Sequence, residues 1–498
     1  MISSQYPILV PVIFLFCALL IPVLGAIHRS LAQLTATLGS ALALYFSVAG
    51  LQEALIHGRI SYHISGWMPP IGIEFVLDPL SAFFCVLLCG ITLLAMVYGK
   101  ASVVFEAPIK EIPFYSLSML FLGGLSGMAL TGDLFNLFVF MEVASLASYA
   151  LVAIGDRRAP VSALRYLILG TAGVTFYLLG VAFLFMSTGT LNMADISQLL
   201  PLVQDTTPVI IGIVLIIVGI GLKMALFPMH VWMPDAYTYA SSTATALIAA
   251  IGTKVAAYVL IRFMFFVVEP DFLRYDLHLI QIVGFLGAIG IIWGSVMAIC
   301  QHDMQRMLAY SSVSQVGYIA LGIGLASPLG FIGAVLHALN HACMKACLFF
   351  VNGNLRLRQG HTSIPKMTNS LRSSMPWTSA AFALAAISMI GLPPTAGFFS
   401  KWYLVLGAIE QAHWFFLIVL LLSTLLNVAY FFRVLERMYL KPQEAGAVDA
   451  STQDIPRNEA PASMLIPTLI LAASLLVLGL ANAWIVTNFI VPMIPGWL

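Results

Sequence analysis

Runs of about twenty apolar residues recur from Tyr6 to the C-terminus of this 498-residue chain, and they constrain its fold more than any other feature. Twenty residues of helix, at about 1.5 Å each, match the ~30 Å hydrocarbon core of a bilayer. Inside lipid every backbone N–H and C=O needs a partner within the protein, so such runs become helices. Charged residues make up only 9% of the chain, against roughly 25% in a soluble domain. The expected fold class is an all-α polytopic membrane protein. The first run has no basic region before it and no small-residue cleavage signature, so it reads as a helix that stays rather than a signal peptide.

About fourteen transmembrane helices are expected, near 7–27, 33–53, 76–98, 113–131, 133–154, 162–187, 208–229, 242–265, 277–299, 307–325, 328–351, 377–409, 414–436 and 463–487. Placing the N-terminus outside gathers Arg29, Lys100, Lys110, Arg157, Arg158, Arg165, Arg306, Arg356, Arg358, Lys366, Arg372, Arg433, Arg437, Lys441 and Arg457 on the cytoplasmic side. Only Arg59, Arg262 and Arg274 fall outside. Fifteen against three is a strong positive-inside bias, and a miscounted helix would have scrambled it. Both termini are therefore expected on the outer side of the cell inner (cytoplasmic) membrane. With a net charge of +1 and no Lys/Arg cluster, nothing points to nucleic acid.

The four remaining basic residues, Lys223, Lys254, Lys345 and Lys401, are lysines inside spans. Two of their spans carry helix breakers: "GLKMALFPMHVWMPDAY" with Pro228 and Pro234, and "ISMIGLPPTAGFFSKWYL" with Pro393, Pro394 and Gly397. Proline frees carbonyls that lipid cannot satisfy, so breaks are buried in protein or line a wet cavity. Two discontinuous helices five spans apart, each with a lysine near the break, look like equivalent positions of two repeats. The odd offset inverts one against the other, as in many transporters, whose sites lie at mid-membrane.

One acid is as misplaced as the lysines. In "GDLFNLFVFMEVASLASYALV", Glu142 lies nine residues past Asp133, ~14 Å along a helix. Such a group at a helix centre costs on the order of 2.5–3.5 kcal/mol, and pairing with Lys223 would reduce that cost. A purely structural ion pair is the plain alternative, yet a buried pair stabilises poorly compared with apolar packing. Burial moves both groups toward neutrality and a partner restores their charge, so approach and separation of Glu142 and Lys223 would load and unload a proton.

In "VLHALNHACMKACLFF", His337, His341 and Lys345 follow each other at intervals of four, one stripe on a helix face. A metal site lacks an HExxH or carboxylate ligand and has a lysine next in line, leaving a proton relay or a structural polar seam. Lys254 sits among the hydroxyls of Ser241, Ser242, Thr243, Thr245 and Thr253, which can hold water. Lys401 follows the second break and would be the last group before an exit. His230 and Asp235 border the first break, as gating or plain loop residues. The cysteine pairs Cys85/Cys89 and Cys343/Cys347 read as packing. No phosphate loop, dinucleotide turn or iron–sulfur cysteine run occurs, so no cofactor is expected, nor any redox or hydrolytic site of the chain's own.

Together "TGDLFNLFVFMEVASLASYALVAIG", "TGTLNMADIS", "GLKMALFPMHVWMPDAYTYASSTATALIAAIGTKVAAYVLIR", "QHDMQRMLAYSSVSQVGYI", "HALNHACMKACLFF" and "GLPPTAGFFSKW" resemble the antiporter-like subunits of Mrp-type cation/proton antiporters, respiratory complex I and membrane-bound hydrogenases. "GDLFNLFVF" followed by "TGTLNMADIS" is most similar to the Mrp D branch and its hydrogenase counterparts. The resemblance spans nearly the whole chain. It implies N-terminal helices one to three over 1–112, inverted five-helix repeats over 113–265 and 277–436, and a cytoplasmic loop with the last helix over 437–498. It also implies Glu142 paired with Lys223, Lys254 as connecting lysine, His337 and His341 on the central axis and Lys401 as distal group. No long amphipathic helix follows the fourteenth span before Leu498, which disfavours the long complex I subunit and the A-type Mrp subunit.

The expected function is that of a proton-translocating subunit of a multisubunit Na⁺/H⁺ antiporter of Mrp type, its D-type subunit, working among other membrane subunits. The alternative is the pump module of a redox-driven complex, a hydrogenase or NADH/quinone dehydrogenase. Asp133 and Asp78 are weak candidates for a sodium site.

Overall fold

A computed structural model describes residues 5–155, 158–441 and 457–498; Arg157 and most of the loop before the last span lie outside the described residues. Two long helices open the chain, α1 (Tyr6–Ile27) and α2 (Arg29–His57), joined at the extended residue His28, whose ring accepts the Ser30 N–H. Next come β1 (Ile60–His63) and β2 (Glu74–Leu77), paired antiparallel with Ile60 opposite Leu77. The sequence pattern does not signal this hairpin, a single ribbon of four residues per strand in an otherwise helical fold. An isolated two-stranded ribbon is marginal, and this one is braced: Arg59 binds Glu74 at 2.9 Å, Asn192 donates to Glu74 at 2.9 Å, and Phe75 bridges to Thr131.

The remaining helices are α3 (Pro79–Glu106), α4 (Glu111–Leu130), α5 (Leu134–Ala153), α6 (Ala159–Thr188), α7 (Met193–Leu199), α8 (Thr207–Met224), α9 (Trp232–Tyr239), α10 (Ser242–Leu247), α11 (Thr253–Arg262), α12 (Leu279–Ile299), α13 (Met304–Gly324), α14 (Pro328–Gln359), α15 (Ser370–Ser374), α16 (Pro376–Ile390), α17 (Ala396–Glu410), α18 (Trp414–Tyr439), α19 (Ala462–Leu480) and α20 (Asn482–Ile485). Among the described residues twelve helical segments are long and apolar enough to cross a membrane, α10 and α11 counting as one segment, Ser242–Val267.

The other two expected spans are helical for different reasons. The tenth, α13, carries Gln305, Ser311, Ser312, Ser314 and Gln315, yet nearly every residue in it is buried. A helix wrapped in protein needs no lipid-facing apolar surface. The twelfth is two fifteen-residue helices, α16 and α17, separated at Gly391, which is left-handed with φ 92°. The seventh breaks after α8, where Ala225 is left-handed at φ 61° and α9 resumes at Trp232. Both breaks fall where the prolines place them.

Ser242–Val267 and α14 form the centre: 94% of the residues in their apolar cores are buried, against 39% for α1, α2, α6, α18 and α19. Those outer helices turn Phe16, Leu19, Leu38, Ile168, Leu425 and Ile470 outward, as lipid or a neighbouring subunit requires.

Two matched devices tie the loops. Asp133 caps α5 and bridges antiparallel to Asn192, three residues after the left-handed Gly189 that ends α6. Asp303 caps α13 and bridges antiparallel to Ser363, three residues after the left-handed Gly360 that ends α14. The first lies beside the hairpin. The second lies at the opposite ends of the helices, beside Arg356 and Thr238.

Candidate functional site

Glu142, Ser145 and Tyr149 follow one face of α5 at spacings of three and four. Lys223, in the last turn of α8, donates to Ser145 Oγ at 2.5 Å and to Tyr149 Oη at 2.8 Å. The expected Glu142–Lys223 ion pair is therefore not formed here. Glu142 remains within electrostatic range of Lys223, while its Oε2 is buried with no hydrogen-bond partner. Tyr149 reaches Lys223 across Gly170 of α6, where an added Cβ would collide with the Tyr149 hydroxyl. The Tyr149 ring stands edge-on to Tyr166, which stacks on Trp232. Trp232, first residue after the break, donates back to the Leu222 carbonyl at 3.0 Å and so fixes the end of α8 that carries Lys223.

A cavity of about 30 Å³ lies between Lys223, Ser145, Tyr166, Trp232 and Thr253, enough for a water. Beyond it Lys254 donates to Thr253 Oγ1 at 3.2 Å and to the Ala249 carbonyl at 2.5 Å. That carbonyl belongs to a π turn, Ile248–Gly252, a local widening that recurs at functional sites. Lys254 in turn lies within electrostatic range of His341 and His337.

His337 and His341 stack along α14 with ring centroids 5.8 Å apart. His337 Nδ1 meets Ser400 Oγ at 3.0 Å, while His337 Nε2 and both His341 nitrogens are buried without partners. Next to Ser400, Lys401 donates to the Met389 and Ile390 carbonyls at 2.8 and 3.0 Å, filling the valences opened by the break after α16. Its ammonium sits over the Tyr318 ring at 5.0 Å, and Tyr318 Oη meets Ser423 Oγ at 2.5 Å. Lys345 leaves the histidine line: it donates to the Leu308 carbonyl at 2.8 Å and Ser311 Oγ at 2.5 Å on α13.

Among the described residues none of the four lysines makes an ion pair. Each donates instead to two neutral oxygens. Carbonyls and hydroxyls accept from an amine as well as from an ammonium, so these cradles tolerate either protonation state.

The family described as "NADH:quinone oxidoreductase/Mrp antiporter, TM" matches residues 131–427, more than half of the chain and all of this axis. The chain belongs to this family. It is 46% identical over 500 residues to the N subunit of NADH-quinone oxidoreductase from Desulforudis audaxviator, covering 99% of each. To the D subunit of the Na(+)/H(+) antiporter from Alkalihalophilus pseudofirmus it is 29% identical, covering 95% of this chain and 93% of the other. The fold matches a chain of an archaeal respiratory complex, the membrane-bound sulfane sulfur reductase, with a TM-score of 0.89 and 29% identity over 97% of this chain and 96% of that one. The protein is thus an antiporter-like, multi-pass membrane subunit whose structural neighbours are multisubunit membrane complexes.

In this family member the carboxylates considered for sodium are engaged elsewhere. Both Asp78 oxygens accept from Arg262, at 2.6 and 2.7 Å, and one also accepts the Ser81 N–H; Asp133 accepts the Asn136 N–H at 2.7 Å. No group of three metal-ligating side chains occurs among the described residues. His230 stacks on Phe227 and Asp235 binds Arg165 and Arg306, around a cavity of about 440 Å³ opposite the hairpin face. Ser145, Tyr149, Tyr318 and Ser400 escaped sequence reasoning, although Ser145 and Tyr149 stand three and seven residues after Glu142, where a helix puts them on its face.

Proposed function

We propose that this chain moves protons through a mid-membrane line running from Glu142 and Lys223 through Lys254, His341 and His337 to Lys401, with Lys345 as a side branch. The single observation that carries the proposal is that titratable side chains succeed one another across the protein centre, the three lysines each cradled by neutral acceptors and the two histidines stacked. A scaffold has no use for six such groups at the cost their burial imposes.

Lys223 switches between two positions in this proposal. It rests on Ser145 and Tyr149, and in the other position it meets Glu142. Return to Glu142 favours the ammonium and loads a proton; departure to neutral acceptors favours its release toward Thr253 and Lys254. Two inverted units, 113–265 and 277–436, would frame the line. The matched Asp133–Asn192 and Asp303–Ser363 bridges, on opposite faces of the bundle, support that division.

The chain would work within a multisubunit assembly in the cell membrane, with both termini outside. An Mrp-type cation/proton antiporter, using this chain as its D-like subunit, is one setting, and Na⁺ would then cross with help from a neighbouring subunit. A redox-driven complex is the other, and the 46% identity to a quinone oxidoreductase subunit favours it. Vesicles expressing the native gene cluster test the core claim: Glu142→Gln should assemble and carry no proton flux. Full flux through an assembled Glu142→Gln complex would sink the proposal. Collapse of a preset pH gradient on adding Na⁺ selects the antiporter; proton pumping that needs quinone turnover selects the redox complex.

A further inference from the structure

The proton line leaves one feature of the first half unused. A vestibule of about 280 Å³ opens beside the exposed Arg59 on the hairpin face and runs inward past Ala194 and Thr131 to Asp78, Arg262 and Tyr258. Its charges are matched in pairs, Arg59 with Glu74 at the mouth and Arg262 with Asp78 at the floor, so it favours neither anions nor cations and suits water.

Arg262 closes the floor through several contacts. Its guanidinium takes both oxygens of Asp78, donates to Tyr258 Oη at 3.0 and 3.2 Å, and lies 4.9 Å over the Phe266 ring. Tyr258 in turn donates to the Ala129 carbonyl of α4 at 2.7 Å.

Below this floor lies a second cavity of about 10 Å³, at the limit for one water. It shares Thr131, Tyr258 and Arg262 with the vestibule. At its inner end it shares Met128 with the cavity that holds Lys223 and Thr253. Three cavities thus stand in series between the hairpin face and Lys223, the first lysine of the line. Arg262 with Tyr258 forms the upper partition, and the flexible Met128 side chain forms the lower.

We propose that this series is a gated water route giving the first half of the chain its own access to the hairpin face, closed here at Met128, with the Asp78–Arg262 pair as the latch above it. When the latch loosens, Arg262 swings toward the vestibule, the lower cavity gains room, and a rotamer change of Met128 joins it to Lys223. Met128 and Arg262 are then positioning residues that decide which face Lys223 exchanges protons with. The inference rests on the proton-transfer role proposed above, and its test does not.

The test is thiol accessibility in the assembled complex, in vesicles of both orientations. Cys300, the one exposed cysteine among the described residues, is changed to Ser. Cysteine is introduced as Met128→Cys, and as Ala194→Cys to mark the vestibule. Ag⁺, small enough for a single-file water path, is applied from one side, and protected thiols are read by mass tagging after denaturation. Ala194→Cys should react quickly from the hairpin face. Met128→Cys should react more slowly, from that face only, and at least fivefold faster when Asp78→Asn is added. Asn still caps α3 as Asp78 does, so the latch is removed without uncapping the helix. Failure of Met128→Cys to react, reaction from the opposite face alone, or a rate indifferent to Asp78→Asn would overturn the proposal. Because labelling reads access whether or not protons move, labelling as expected in a complex without proton flux would keep the route and remove the transport role. Proton flux without this labelling would do the reverse.

Discussion

Tyr149→Phe isolates the hold on Lys223. The substitution deletes one of the two hydrogen bonds on the ammonium, at 2.8 Å, and leaves the ring. The edge-on contact with Tyr166 at 4.5 Å and the approach of Lys223 to the ring at 5.3 Å both survive. A hydrogen bond to a charged group contributes about 1.5–3 kcal/mol, and 1.4 kcal/mol is tenfold in an equilibrium. The balance between the resting position and Glu142 should therefore shift toward Glu142 by about 10- to 150-fold. Proton flux, with release from Glu142 now limiting, should fall by up to that factor and its pH optimum should move. Ser145→Ala removes the other bond and should act in the same direction. Flux is measured with a pH-sensitive dye in vesicles in which the assembled complex has been quantified. An assembled Tyr149→Phe complex with the native rate and native pH profile would refute the idea that Ser145 and Tyr149 hold one state of the switch.

Other consequences are open to measurement. Gly170→Ala should push the Tyr149 hydroxyl off Lys223 and reproduce the Tyr149→Phe flux defect without removing any polar group. Lys401→Met should leave the Ile390 carbonyl without its donor and the Met389 carbonyl with only the longer bond from Asn427 Nδ2 at 3.4 Å, costing about 1–3 kcal/mol for the buried group left unsatisfied; a lower thermal midpoint of the purified complex, together with lost flux, checks it. The hairpin should be pH-sensitive. Burial pushes the Glu74 carboxyl up, but hydrogen bonds from Ser61 and Asn192 and the Arg59 guanidinium outweigh it and hold the group below the ordinary value of about 4.5. A depressed carboxyl contributes stability that is fully present above that ordinary value and is lost as the pH falls through the folded value beneath it. Hydrogen-exchange protection over residues 58–78, corrected for the intrinsic exchange rate at each pH, should fall in acid in the native chain, and Glu74→Gln should remove that dependence.

Much of this architecture is legible in the sequence because the bilayer leaves few choices. Apolar runs had to be helices, Pro228 and Pro393–Pro394 had to break two of them, and five charges too costly to be accidents, Glu142, Lys223, Lys254, Lys345 and Lys401, marked the spans that meet at the centre. What the sequence hid is smaller in energy. Serine and tyrosine are cheap in membrane helices, so Ser145, Tyr149, Ser400 and Tyr318 carry no signal until their neighbours are known. The Glu142–Lys223 pair was the economical expectation from charge alone, and two hydroxyls on the same face of α5 provide another place for the lysine. Lys345 shares a stripe with His337 and His341 by spacing, yet its long side chain reaches α13. The strands Ile60–His63 and Glu74–Leu77 are each four residues long and depend on contacts with Thr131 and Asn192 that lie far away in sequence.

Lys254 is the test of the whole account, because it donates to Thr253, which lines the Lys223 cavity, and lies within electrostatic range of both histidines. Lys254→Met fills the same volume without a proton carrier. In the assembled complex, reconstituted with a pH-sensitive dye inside the vesicles, the account predicts that proton flux disappears while assembly persists. Proton flux at the native rate through an assembled Lys254→Met complex would contradict it.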